Sequence, residues 1–299
     1  TVNAGKLKLV NKKNTDNIAI SNNRCNIIFD KATGQLIRYT VGNLSFLGEG
    51  GTLKPNFWRA VTDNDMGSGL NSKYKVWRNP HIKLLKIDTE KQGADVKVTT
   101  VYNMPETAAT LTLAYTIAPD GSMQVEQQLV ADKSADTPNM LRYGIVMELP
   151  YQLEHSEYYG RGPIENYVDR KHSQLIGIYT QTADEQFYPY IRPQESGTKS
   201  DIRYWIQTDA SGRGFRIESL APYAASALHY AISDLDDGDK KEQRHSPQVP
   251  KSHYTNLCLD LVQAGVGGID SWSSNAEALA RYRIPYQDYN FVFRIVPIQ

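Results

Sequence analysis

What is scarce in this sequence excludes more than what is abundant. Only two cysteines, Cys25 and Cys258, occur in 299 residues, far apart and without a C-x-x-C pair, so neither a disulfide framework nor a zinc site is indicated. Each is expected as a small buried hydrophobe. Excess charge is missing as well: 33 Lys and Arg offset 33 Asp and Glu, which leaves no electrostatic footprint for nucleic acid or for an acidic membrane surface. No apolar run approaches the ~20 residues that cross a bilayer. Thr1-Val2-Asn3-Ala4-Gly5 carries no signal-peptide pattern, and the compartment, cytoplasmic or periplasmic, stays open. Helical periodicity is absent over any long stretch, and with it the strand–helix alternation that builds parallel sheets and (β/α)₈ barrels.

What is present is period-2 alternation. Residues 25–29 and 35–41 flank the turn cluster Asp30-Lys31-Ala32-Thr33-Gly34 and read as a hairpin with Ile37, Tyr39 and Val41 on one face. Leu111, Leu113, Tyr115 and Ile117 alternate up to Pro119-Asp120-Gly121-Ser122, where Pro sets φ and Gly permits a positive value. The same spacing recurs at Leu141, Tyr143, Ile145, Met147 and Leu149, at Leu257, Leu259 and Leu261, and at Tyr289, Phe291, Phe293 and Ile295. The fold class is all-β, at a length that one β domain can span.

Between the strands lie irregular segments, where binding and catalysis usually sit on a β scaffold. In residues 262–273, Val-Gln-Ala-Gly-Val-Gly-Gly-Ile-Asp-Ser-Trp-Ser, three close glycines precede Trp272. The glycines are expected to supply positive φ or close backbone approach. Trp272 then either stacks on the C–H face of a sugar or plugs the sandwich core. The Asp63-Asn64-Asp65-Met66-Gly67 cluster is expected to form Asx-turns or to reach a polar ligand. Glu165, Asp169 and Glu195, each in a loop with arginines, are expected in structural ion pairs. The charged run 234–244 reads as a solvated loop without the closing Glu of an EF-hand.

Four motifs in order, Asn-Phe-Trp-Arg-Ala-x-Thr-Asp-Asn-Asp (56–65), Gly-Arg-Gly-Pro-x-Glu-Asn-Tyr-x-Asp-Arg (160–170), Pro-Gln-Glu-x-Gly (193–197) and Gly-Val-Gly-Gly-x-Asp-Ser-Trp (265–272), carry a resemblance. The sequence resembles the C-terminal small-chain region of the β-galactosidases of glycoside hydrolase family 2, from about residue 15 onward. The resemblance implies a supersandwich of the galactose mutarotase-like type, a large antiparallel two-sheet sandwich over 15–299, with 1–14 as a lead-in from a preceding domain. It implies that the catalytic carboxylates sit in a (β/α)₈ barrel outside this chain, so no catalytic residue and no metal ligand is assigned here. The Mg²⁺ and Na⁺ used by many relatives are implied to bind in that barrel.

The expected partners are a galactoside and the barrel, in a parent enzyme compatible with a homo-oligomer. The resemblance gives Trp272 the stacking role. Asp270, Asn64, Asp65 and Gly67 join it as candidate substrate-binding residues, with Gly67 lending the 63–67 loop mobility at the mouth of the site. Relatives commonly carry an acidic residue where Ile269 stands and a methionine where Ala264 stands. Two alternatives are a mutarotase-like enzyme using Glu195 with His229 or His253, and a stand-alone carbohydrate-binding module using several of Trp58, Trp77, Trp205 and Trp272. The last predicts two or more coplanar exposed aromatics; otherwise Trp58, Trp77 and Trp205 belong in the core.

Overall fold

The computed structural model describes residues 5–236, 238–240 and 244–298. In chain order its strands are β1 (Lys8–Val10), β2 (Asn17–Ser21), β3 (Cys25–Asp30), β4 (Leu36–Val41), β5 (Leu44–Ser45), β6 (Leu53–Asn56), β7 (Lys83–Gln92), β8 (Asp95–Met104) and β9 (Ala109–Ile117). They continue with β10 (Met123–Ala131), β11 (Arg142–Pro150), β12 (His155–Gly162), β13 (Leu175–Thr182), β14 (Lys199–Thr208), β15 (Gly214–Leu228), β16 (Tyr254–Gln263) and β17 (Tyr289–Ile298). The helices are single turns: α1 (Asp63–Gly67), α2 (Leu70–Lys73), α3 (Ala183–Gln186) and α4 (Ile232–Leu235).

All of these strands pair antiparallel, and the pairings resolve into two layers joined through one long strand. One layer runs β1–β2–β3–β4–β6–β11–β16. The other runs β7–β8–β9–β10–β17 and, past β15, β14–β12–β13. β15 belongs to both: Gly214–Ser219 pairs with β17, whereas Ala224–Leu228 pairs with β16. Between those halves Leu220, Ala221 and Pro222 are exposed, as a strand crossing from one layer to the other requires.

The alternation read from the sequence is what fills the space between the layers. Phe29 meets Tyr115 edge-on at 4.9 Å, and Phe46 bridges Tyr39 and Phe215 at the same spacing. Leu111, Leu113, Tyr115 and Ile117 are all buried, as are Cys25 and Cys258. Each fully buried Leu, Ile or Phe contributes about 1.5–3 kcal/mol relative to exposure. The Pro119–Ser122 turn behaves as its residues demand: Gly121 takes φ +87°, Asp120 accepts from the Ser122 N–H, and the Gly121 carbonyl accepts from the buried Tyr39 hydroxyl.

Three expectations need correction or placement. Leu7 and β1 pack with the sandwich through β2, so part of the 1–14 segment is continuous with it in packing; Thr1–Ala4 lie outside the described residues. The charged run is not simply solvated. The Asp236 side chain is 3% exposed and accepts from the Trp58 indole (2.9 Å) and from Arg78 (2.8 Å), while Asp237 and residues 241–243 lie outside the described residues. Finally, residues 63–67 form a helical turn with a capping box. Thr62 accepts from the Asp65 N–H, and Asp65 accepts in return from the Thr62 N–H.

Candidate functional site

The motif loops gather at one end of the sandwich, and Arg59 is the post they hang from. It leaves β6 on a buried stretch and forms a two-pronged pair with Asp65: Nε to Oδ2 at 3.0 Å and Nη2 to Oδ1 at 2.8 Å. Its guanidinium also donates to the carbonyls of Ala264 (2.6 Å) and Gly265 (2.9 Å). One side chain therefore ties α1 to the root of the tryptophan loop. Such a desolvated bidentate pair is geometrically exacting.

The rest of that loop is held by its own backbone. The Gly265 N–H donates to the Tyr282 carbonyl, and the N–H groups of Val266 and Gly267 donate to the two oxygens of Asp169 at 3.1 and 2.8 Å. Asp270 folds the tip by accepting from the N–H groups of Trp272 and Ser273 and from the Ser273 hydroxyl (2.6 Å). The Ser273 hydroxyl bond, with those backbone donors, holds the Asp270 carboxyl below its ordinary value. The result is an indole 80% exposed on a loop whose polar backbone groups are extensively satisfied.

The glycines work by close approach rather than by handedness. None of Gly265, Gly267 and Gly268 has positive φ. A methyl group on Gly265 would lie 2.5 Å from Asp169 Oδ2, and one on Gly268 would lie 2.3 Å from the Ala276 carbonyl oxygen. Gly67, expected to confer mobility, ends α1 with its Cα pressed on the Ser271 carbonyl; its observed role is contact.

Among the other named candidates, Asn64 donates from Nδ2 to the Asp270 carbonyl at 3.4 Å, so it touches the loop that carries Trp272. Asp65 is buried, and its carboxylate is occupied by Arg59 and the Thr62 N–H. The structure thus gives Asp65 a positioning geometry rather than one open to a sugar. Asp63 pairs with Arg192 at 2.8 Å, which brings the 188–197 segment, with exposed Tyr188 and Ile191, against the same helix.

Of the three expected ion pairs, Glu165 with Arg170 (2.6 Å) and Glu195 with Arg142 (3.4 Å) are present. Asp169 instead binds backbone N–H groups. Every acidic side chain of the four motif loops is thereby bonded to a guanidinium or to backbone donors.

Arg59 was not singled out from the sequence, although the Thr62-x-x-Asp65 capping signature marks the turn that aims Asp65 back toward it. Trp58, Trp77 and Trp205 are buried, leaving Trp272 as the exposed indole. Glu195 bonds Arg142 and Thr198, and His229 is stacked on Tyr151 and bonded to Asp184, so Glu195 and His229 have separate partners, and His253 is exposed. Among the described residues no cluster of three His, Cys, Asp or Glu side chains could hold a metal, and no helix is long and apolar enough to cross a membrane.

Known proteins resemble this chain over nearly its whole length. A family model described as beta galactosidase small chain matches residues 21–295. A β-galactosidase of Priestia megaterium (strain DSM 319 / IMG 1521) is 33% identical over 92% of this chain and 26% of its own length. The β-galactosidase BgaC of Bifidobacterium adolescentis is 30% identical over 86% of this chain and 24% of its own length. The chain thus spans about a quarter of the curated relatives it matches. A galactose 1-epimerase from Lactobacillus acidophilus NCFM shares the fold, with a TM-score of 0.50, 10% identity and 98% of both chains covered. The sandwich is accordingly of the galactose mutarotase-like type, and the chain belongs to the β-galactosidase small chain family.

Proposed function

We propose that this chain completes the sugar pocket of a β-galactosidase without supplying the carboxylates that cleave the bond. The observation that carries the reading is Trp272, the exposed indole of the described structure, fixed on a loop braced by Arg59, Asp169 and Asp270. A flat apolar face pre-positioned in this way stacks on sugar C–H groups with little ordering cost. Asn64 and Asp270 shape its presentation, and Asp65 and Gly67 hold the helix behind it. Retaining hydrolysis needs two carboxyl groups ~5–5.5 Å apart and open to the substrate. The engagement of every acidic side chain in the motif loops supports placing that pair in the portion of the relatives that this chain does not span.

In this reading residues 15–299 are the sandwich domain, with β1 of the lead-in paired onto its edge strand β2, and the exposed Tyr188, Ile191, Ile269 and Leu279 face the barrel. Mg²⁺ and Na⁺, where the parent enzyme uses them, bind in that barrel. The test is hydrolysis of a chromogenic β-galactoside by the chain alone, by the barrel-containing portion alone, and by the two together. Activity only on mixing is the expected result; hydrolysis by the chain alone would refute the division of labour. Trp272→Ala in the full-length enzyme is expected to raise KM for the galactoside by roughly tenfold with folding preserved, and an unchanged KM and product pattern would remove the stacking role.

A further inference from the structure

The two free edges of the second layer are finished differently. β7, at one end, carries Lys83, Lys86, Asp88, Glu90 and Lys91 in ten residues, and its register with β8 breaks between Leu84 and Lys86. Charges and a bulge are how sheets refuse further strands. β13, at the other end, has neither. Its eight residues, Leu-Ile-Gly-Ile-Tyr-Thr-Gln-Thr, include no charge and no proline, and its register with β12 is unbroken from His155↔Thr182 to Gly162↔Leu175. Among the described residues β12 is its strand partner, so alternate N–H and C=O groups along the outer edge have no ladder. Ile178 is 64% exposed and shares one face with Ile176 and Tyr159, while Leu175, 74% exposed, lies on the opposite face at the start of the strand.

We infer that the outer edge of β13 is a strand-docking site, occupied in the working enzyme by an extended, uncharged segment of the β-galactosidase portion outside this chain. The inference rests on the functional reading above. The choice of occupant follows from length: the curated relatives carry some three-quarters of their residues beyond the matched region. A segment tethered in the same assembly competes at a millimolar effective concentration, against which a second copy of the chain at micromolar concentration loses. Main-chain hydrogen bonds supply the affinity, and Ile176 and Ile178, two residues apart on one face of the strand, set the register.

The test is amide hydrogen exchange of Leu175–Thr182 in the isolated chain and in the full-length enzyme, each at two protein concentrations. Alternate amides should exchange roughly a hundredfold more slowly in the full-length enzyme, independent of concentration. Ile178→Lys, which changes an exposed side chain, should abolish that protection while leaving the melting temperature of the isolated chain unchanged. Protection that appears only with concentration-dependent dimers would overturn the inference in favour of a second copy, and equal exchange in both proteins would overturn it outright. The Trp272 kinetics fail or succeed separately, because they read sugar binding and not this edge.

Discussion

Gly67 and Ser271 are in backbone contact: a methyl group on the glycine would sit 2.2 Å from the Ser271 carbonyl oxygen. Helix α1 and the tip of the tryptophan loop are therefore one surface, and the contact is made by backbone, which has no rotamer to turn out of the way.

Gly67→Ala is expected to push residues 271–272 outward and to cost about 1–3 kcal/mol, the usual price of overpacking a close contact. Urea unfolding measures the cost, and sugar binding by the full-length enzyme measures the displacement of Trp272. An alanine variant with wild-type stability and wild-type affinity would show that the contact is slack.

Removing one half of the Arg59–Asp65 pair should be far worse than removing both. Asp65→Ala leaves a guanidinium buried without its counter-charge, and a loss of about 3–5 kcal/mol is expected. The double variant Arg59→Met with Asp65→Leu should recover a large part of that stability yet still leave the loop root at Ala264 and Gly265 without its donor. The double-mutant cycle by denaturant titration, combined with sugar affinity, separates the two effects.

Lys199 is 1% exposed, with its ammonium donating to the Gly197 carbonyl at 2.8 Å. Burial pushes its pKa down from 10.5 to about 7, and nearby Glu165 only partly opposes this. The unfolded chain binds this proton below pH 10.5 and the folded chain only below about 7. Stability from this group is therefore present above pH 10.5 and is lost as pH falls through 7, by a few kcal/mol in total. Lys199→Met should flatten that slope and raise the urea midpoint more at pH 6 than at pH 10. Equal shifts at both values would mean that the lysine is charged throughout.

Arg142 lies between two buried carboxylates, Asp260 at 3.0 Å and Glu195 at 3.4 Å. Burial raises the Asp260 carboxyl to about 7; Arg142 pulls it down and Glu195 pushes it up. A raised carboxyl contributes stability that is present below pH 3.8 and lost as pH rises through about 7. Asp260→Asn should accordingly be tolerated better at pH 8 than at pH 5, whereas Arg142→Met should destabilise strongly at pH 8, where Asp260 is ionised beside the site the guanidinium has left. Thermal melts at the two pH values give the comparison.

The sandwich was legible because alternation is a local property: Leu111 to Ile117 carry their face assignment in four spaced side chains. The site was legible only in part. Trp272 could be stacking or core from its residue type, and its exposure depends on Arg59 contacts some two hundred residues away in sequence, for which no short-range signal exists. Asp65 looked like a ligand because a carboxylate in an Asp-Asn-Asp run is indistinguishable, in one dimension, from one turned inward onto an arginine. For the loop glycines the sequence left positive φ and close approach open, because both select glycine, and the structure shows close approach.

The strand that serves both layers has a kinetic meaning. With β15 paired to β17 at one end and to β16 at the other, neither layer can close until distant parts of the chain have met. Folding of such a topology is slow because chain closure precedes most of its reward. A break in the crossing segment at Leu220–Pro222 would not release half a protein that stands by itself; it would leave two sheets each missing a member.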